Sequence, residues 1–355
     1  MFGKFEDDRI DGGHRVTPPF LTMQEETRAL FEAFSRQRIL VIGDIMLDRF
    51  IWGSVSRISP EAPVPVVEVQ RESFYPGGAA NVARNLTPFG TKVELIGLIG
   101  PDDNGRLLRQ VLTDNGIGVE HLREIEDFTT ISKTRVVARQ QQVVRIDREK
   151  KMRPTAAQIA QLTAELRSVA SELNGIIIED YGKGLITQEL VDEVCAIARD
   201  AGVLVTVDPN PKNPINWAGV STVKPNRLEA FQEAGVEDLH DGRPPLEDPA
   251  LREVGDRLLE KWDSEHVLIT LGEQGMLLVR ATTEPFHIPT MAQEVFDVSG
   301  AGDTAIAVFT LALCAGADAK VAAELSNRAS GIVVGKLGTA PIELAELQKA
   351  VDAAR

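Results

Sequence analysis

Asp297-Val298-Ser299-Gly300-Ala301-Gly302-Asp303-Thr304 runs without a break into Ala305-Ile306-Ala307-Val308-Phe309-Thr310-Leu311-Ala312-Leu313-Cys314. A glycine-rich turn therefore stands at the mouth of a buried helix. The N–H groups of a helix's first turn have no partner inside the helix, and the dipole adds partial positive charge, so such a place favours an anion. Gly300 and Gly302 carry no side chain and let a phosphate approach the backbone. Asp303 cannot bind that anion itself. A carboxylate there makes chemical sense as the base that takes a proton from a hydroxyl attacking the phosphate. On the octapeptide alone the alternative stays open: Asp303 complements the dipole and the glycines make a tight turn.

With 355 residues, 43% hydrophobic and 26% charged, the chain can bury one large core or two smaller ones without disulfides. Cys195 and Cys314 lie in apolar helical runs with no CxxC or His partner, and read as structural thiols in a reducing compartment. The five histidines are scattered, without HxxxH or HxGH grouping, so neither a zinc site nor a nucleotidyltransferase signature is expected. A net charge of −15 repels nucleic acid and anionic membranes, and an anionic substrate needs a local basic cluster. No run of about 18 apolar residues occurs and the N-terminus is acidic, so a cytoplasmic protein with neither nucleic-acid nor membrane partner is expected.

Residues 1–37 are polar, carry Gly-Gly and Pro-Pro, and hold one helical stretch near Gln24 to Phe34. They read as an N-terminal extension docking on a partner subunit, and a homodimer is the expected assembly. Arg38-Ile-Leu-Val-Ile-Gly-Asp44 is a short apolar strand ending where ligands meet strand carboxyl ends in α/β proteins. Similar runs at 93–99, 175–180, 203–208, 220–223 and 266–271 alternate with helical patterns at 156–173 and 187–201. The alternation predicts an α/β domain over 38–350 with a mostly parallel sheet covered on both faces. Val64 to Gln70 and Thr129 to Arg148 break it as antiparallel strand material, giving lid strands from about 45–75 and 128–148.

In the second lid segment Lys133, Arg135, Arg139, Gln141 and Arg145 share one face if the strand period holds, forming a polar wall for an anionic sugar; a turn near Gln140 would break the register, and a solvated face is the alternative. Gly77-Gly78-Ala79-Ala80-Asn81 opens another helix, with an amide suited to a ring of hydroxyls. Asn226 and Glu229, three apart at a helix start, suit the water shell of Mg²⁺, or else close a capping box. Thr270-Leu271-Gly272-Glu273-Gln274-Gly275 suits a nucleotide edge or a hairpin turn.

In order, Gly77–Asn81, Asn226-Arg227-Leu228-Glu229 and Asp297–Asp303 resemble the first signature, the magnesium motif and the second signature of the ribokinase-like, phosphofructokinase-B type carbohydrate kinases. The likeness covers roughly residues 38 to 345. It implies a Rossmann-like α/β/α sandwich with a small β-sheet lid, Mg-ATP as donor and a sugar alcohol as acceptor. Within the family, Gly43–Arg49, Ser56–Val66, Gln141–Asp147, Asp180–Gly184 and Gly331–Ala340 are similar to the kinase domain that forms D-glycero-D-manno-heptose 1,7-bisphosphate on the route to ADP-heptose and lipopolysaccharide. Bifunctional members add a cytidylyltransferase-like domain with HxGH; this chain ends at Arg355 without one, which implies a kinase-only form.

Carried over position by position, the resemblance implies Asp303 as base, with the amides of Gly300, Ala301, Gly302 and Asp303 around the transferring phosphoryl group. Asp44, Gly77, Gly78 and Asn81 would hold sugar hydroxyls. Asn226 and Glu229 would serve Mg²⁺ through water, Thr270, Gly272, Gly275 and Asn327 would line ATP, and Asp297 and Ser299 with the 335–338 loop would suit K⁺. Lys133, Arg135, Arg139, Arg145 and Arg57 are candidates, from charge and strand face, for the phosphate already on the sugar. Ser299, where relatives often have Thr, and Asp208-Pro209-Asn210-Pro211-Lys212, where heptose kinases commonly have Asp-Pro-Lys-Gly, depart from the pattern. Other sugar, sugar-phosphate or nucleoside kinases, and a non-catalytic sugar sensor, are the alternatives.

Overall fold

The computed structural model describes residues 23–353 except 140, 240–241, 292–295, 337 and 339, and for 23–26 the backbone only. Its elements in chain order are α1 (Met23–Phe34), β1 (Arg38–Gly43), β2 (Ile45–Ile58), β3 (Pro65–Gly78), α2 (Ala79–Leu86), β4 (Lys92–Ile99), α3 (Asp103–Asp114), β5 (Ile117–Gly118), β6 (Leu122–Glu124), β7 (Ser132–Ala138) and β8 (Gln141–Arg148). They continue as α4 (Ala156–Val169), β9 (Gly175–Glu179), α5 (Gln188–Ala201), β10 (Leu204–Asp208), β11 (Thr222–Val223), α6 (Arg227–Ala234), α7 (Pro249–Trp262), β12 (His266–Thr270), β13 (Met276–Arg280), β14 (Thr283–Ile288), α8 (Ala301–Cys314), α9 (Ala319–Val333) and α10 (Leu344–Ala353).

Short continuous apolar runs suit strands buried on both faces, and β1 shows how. Ile39 and Val41 enter one core with Ala83 of α2 and Phe309 of α8, whereas Leu40 and Ile42 enter the other with Leu162 of α4 and Val194 of α5. The main sheet runs β14-β13-β12-β11-β10-β9-β1-β4-β5, with β6 on β4. From β12 through β5 the pairings are parallel, and β13 and β14 add an antiparallel edge. The strand order reverses at β1, and a crevice opens beyond the carboxyl ends of β1, β9 and β10, where Asp44, Glu179 and Asp208 stand.

A second sheet, ordered β3-β2-β7-β8, grows out of that crevice. It is mixed rather than antiparallel throughout: β2 pairs with β3 and β7 with β8 antiparallel, but β2 and β7 run parallel from Leu47/Ser132 to Gly53/Ala138. Both leave the main sheet in the same direction, which forces that pairing. Helix α1 packs on its own chain, with Leu30, Phe31 and Phe34 buried and Phe34 edge-on to Phe31 at 5.5 Å and to Phe89 at 5.6 Å. One face of this helix is thus covered by its own chain, and residues 1–22 of the expected extension lie outside the described residues. The insert at 242–249 forms a short 3-10 turn whose Asp248 caps α7 and pairs with Arg227.

A Cβ on Gly43 would stand 2.3 Å from the Glu179 carbonyl oxygen and 2.8 Å from Ala79 Cβ, so β1 ends wedged between β9 and α2. Gly43→Ala is expected to destabilise the fold by about 1–3 kcal/mol, the usual range for overpacking. Denaturant melts of the two proteins measure this, and coincident melts would disprove the wedge.

Candidate active site

Gly300, at φ 81°, caps α8 with no side chain, and Asp303 falls in its first turn. Thr304 Oγ1 donates to Asn85 Oδ1 at 3.0 Å, fixing α8 against α2. That contact lets α2 reach Asp303: Asn81 Nδ2 donates to Oδ2 at 2.6 Å, and the Tyr181 hydroxyl donates to Oδ1 at 2.7 Å. Burial raises the Asp303 pKa, opposed by these two hydrogen bonds and by Lys224. Burial and the charge of Asp303 push the Tyr181 phenol well up, so it stays a donor. Of the amides expected to bind an anion, the Ala301 N–H is directed to the Val298 carbonyl at 3.3 Å, while Gly302 and Asp303 N–H find no acceptor among the described residues. The hole is therefore narrower than the resemblance implies.

Beside Gly302 lies a group that the sequence expectation lacked. Lys224, 3% exposed, pairs with Asp208 at 2.8 Å, and its Nζ is 3.5 Å from where a Gly302 Cβ would be. Burial alone would lower the Lys224 pKa, but the attraction of Asp208 and Glu179 outweighs it and the pKa is raised. Burial pushes Asp208 to about 7 despite Lys224. Glu179 is raised well above its ordinary value by burial and by the charges of Asp208 and Asp303. Neither Glu179 oxygen has a hydrogen-bond partner among the described residues, and one oxygen each from Glu179, Asp208 and Asp303 lies within 4.8 Å of the others.

The sugar-side expectations divide. Gly77 and Gly78 are required by close approach, since a Cβ would lie 2.5 Å from Asp48 Oδ2 or 2.4 Å from the Asp44 carbonyl oxygen. Asp44 is not free for hydroxyls: its carboxylate accepts the backbone N–H of Tyr181, Lys183 and Leu185 at 2.8–3.2 Å and shapes that loop. Asp48, near enough for its charge to raise the Asp303 pKa, is 7% exposed and bonded to Arg135 Nη1. By register, Asp48, Lys133 and Asp147 form one row across the small sheet, and Phe50, Arg135 and Arg145 the next. Phe50 stacks on Trp52 at 5.5 Å, and Arg71 covers the Trp52 ring.

Arg57 and Arg139 do not join this wall. Arg57 is exposed at the far end of β2, nine residues or roughly 30 Å of strand beyond Asp48. Arg139 sits past the end of β7, exposed and left-handed at φ 59°, with a register shift between Val136 and Val137 before it. Gln140, the expected turn, is outside the described residues.

On the opposite side, Thr270, Gly272, Gly275 and Asn327 line a cavity of about 450 Å³ that reaches Gly302. Asn327 Nδ2 donates to the Pro289 carbonyl, and the 272–275 segment is also the hairpin joining β12 to β13. Asn226 and Glu229 close the capping box of α6 at 2.8–2.9 Å, while their outer sides line a cavity of about 640 Å³ shared with Glu179, Asp208 and Lys224. Asp297 Oδ1 accepts the Ser299 N–H, and the Phe296 and Asp297 N–H groups bond the Val334 carbonyl, which joins this loop to the end of α9. Residue 337 of the expected cation loop is outside the described residues.

Asp180 accepts from Gly182 N and Asn213 Nδ2 at 2.7–2.8 Å, and burial raises its pKa to about 6. A carboxyl raised on folding holds its proton better in the native state, so stability falls as pH climbs from the unfolded value near 4 through 6. Asp180→Asn is expected to flatten this limb by on the order of 2 kcal/mol. Urea melts at pH 4 to 7 test it, and parallel curves for both proteins would count against it.

Residues 36–345 match the family described as pfkB family carbohydrate kinase. The chain is 43% identical over 316 residues to the "Bifunctional protein HldE" of Desulfatibacillum aliphaticivorans, covering 89% of this chain and 63% of that one. It is 42% identical over 329 residues to the protein of the same name from Magnetococcus marinus, covering 91% and 66%. It thus spans just under two thirds of their length. Phosphofructokinase-2 of Escherichia coli in complex with potassium shares the fold at TM-score 0.71 and 18% identity, covering 90% of this chain and 99% of that one. The Arabidopsis thaliana ribokinase complexed with ribose and ATP does so at 0.67 and 17%, covering 89% and 98%. No helix among the described residues is long and apolar enough to cross a membrane. The chain belongs to the pfkB family of carbohydrate kinases.

Proposed function

We propose that this kinase transfers the γ-phosphoryl group of ATP to O1 of D-glycero-D-manno-heptose 7-phosphate, giving the 1,7-bisphosphate used for ADP-heptose and lipopolysaccharide core synthesis. The observation that carries the transfer is Asp303, held by Asn81 and Tyr181 where the bare amides of α8 and the Lys224 ammonium face the nucleotide-side cavities. The heptose assignment is supported by the stretches at 43–49, 56–66, 141–147, 180–184 and 331–340, and by a basic row that suits a second phosphate.

In this reading the sugar lies between Asp48 and Asn81 with its anomeric hydroxyl on Asp303. Asp303 accepts the hydroxyl proton as O1 attacks phosphorus in line. Lys224 and the N–H groups of Gly302 and Asp303 take up charge on the phosphoryl oxygens, in fixed positions that need no reorganisation. The 450 Å³ cavity lined by Asn327 holds the nucleoside. Glu179, beside Asp208, Asn226 and Glu229, fits a hydrated Mg²⁺, because its buried carboxylate oxygens, without hydrogen-bond partners among the described residues, suit a cation that keeps its water. Bound there, Mg²⁺ would neutralise charge on the phosphates. Water exclusion falls to the small sheet as a lid. K⁺ at the Asp297 loop and a homodimer complete the reading; Val144 and Ile146 of edge strand β8 and Val69 of the opposite edge strand β3 stand exposed on the lid and suit burial against a second copy.

Asp303→Asn should bind ATP normally while turnover falls ~10²–10⁴-fold, the range for loss of a general base. Near-normal turnover refutes the role of Asp303. ADP release across a panel of sugars and sugar phosphates tests the acceptor, and silence with heptose 7-phosphate refutes that assignment.

A further inference from the structure

The two carboxylates nearest the sugar side differ in one respect. Asp303 is held by neutral donors, whereas Asp48 is held by a cation, Arg135, whose guanidinium leans across the Phe50 ring at 5.2 Å to reach it. Arg135 is drawn there although its direct cross-strand neighbour is another cation, Arg145, itself occupied by Asp147 at 2.9–3.0 Å. Like charges placed opposite each other repel unless an anion or a competing carboxylate separates them. Lys133, opposite Asp48, has no ion-pair or hydrogen-bond partner among the described residues and is only half-buried. The lid therefore presents a cluster of cations suited to an anion beside a carboxylate that is already engaged.

We propose that the Arg135–Asp48 pair is a latch that selects phosphorylated sugars: the substrate's own phosphate draws Arg135 onto itself with Lys133, and only then is Asp48 released to accept the sugar hydroxyls. This rests on the phosphosugar reading above. A phosphate dianion offers the guanidinium a bidentate partner at least as strong as a carboxylate. An unphosphorylated sugar must displace a charge-assisted bond with neutral hydroxyls and gains nothing in return. Binding energy at a remote phosphate is thereby converted into assembly of the reacting end. Discrimination comes from an occupied acceptor, not from a pocket too small for the wrong sugar.

The test measures kcat and KM for heptose 7-phosphate and for the same heptose without phosphate, the latter with and without sodium phosphite as a detached dianion. In the wild type, phosphite should raise turnover of the phosphate-free sugar by about tenfold or more, the gain expected when a separate dianion supplies binding energy. In Arg135→Ala that activation should vanish. The preference for the phosphorylated sugar should shrink by at least about tenfold, through a higher KM for heptose 7-phosphate and a lower one for the phosphate-free sugar. Arg135→Lys, which keeps a charge but not the fork, should fall between. Equal losses on both sugars in Arg135→Ala, or a wild type that turns over heptose 7-phosphate yet ignores phosphite, overturns the latch and leaves the substrate assignment standing. No turnover of heptose 7-phosphate by the wild type overturns both.

Discussion

Three carboxylates, one buried and two half-buried, gathered around one buried ammonium are the constraint around which the rest is arranged. Glu179 leaves β9, Asp208 leaves β10 and Asp303 opens α8, so three elements with unrelated sequence positions deliver negative charge to one place, with Lys224 as the cation among them. Burial of like charges is unfavourable unless protons, cations or hydrogen bonds offset it. Neutral donors serve Asp303 and an ion pair serves Asp208, while burial and the charges of Asp208 and Asp303 raise the Glu179 pKa well above its ordinary value.

The rigid sheet makes that arrangement tolerable. β1, β9 and β10 are in unbroken parallel register, and Gly43 brings β1 to within contact of Glu179 and Ala79. Asp44 then holds the 181–185 loop by three backbone bonds, which places the Tyr181 hydroxyl on Asp303. A carboxylate at a strand end thus acts on Asp303 at one remove, by shaping the chain that carries a donor to it.

Much of this was legible in the residues. The apolar runs from 38 to 270 marked the parallel strands because burial on both faces leaves a local signature, and the glycine octapeptide marked the helix mouth because only bare backbone fits there. Convergence left no such trace. Asp44 and Asp48 are four residues apart and equally acidic, and only the path of the 181–185 loop decides which of them faces the pocket. Arg57 and Arg139 share charge and strand context with Arg135 but stand far along a twisted ribbon, past register shifts that alternation cannot reveal. Lys224 sits in a stretch whose Asn226 and Glu229 drew notice, yet its partner Asp208 belongs to another strand. Asn226 and Glu229 satisfy each other as a helix cap, a local solution that tertiary charge then surrounds.

The stacked pair Phe50 and Trp52 gives the chain an optical asymmetry. Its other two tryptophans, Trp217 and Trp262, are sealed in the main core at 2% and 0% exposure, whereas Trp52 rides on the small sheet with an arginine over its ring and its indole N–H on Ser73. Emission from the core pair is insulated from solvent, so changes in the polarity sensed by this protein's indoles arise mainly at the small sheet. The molecule carries its own spectroscopic gauge of that sheet's surroundings.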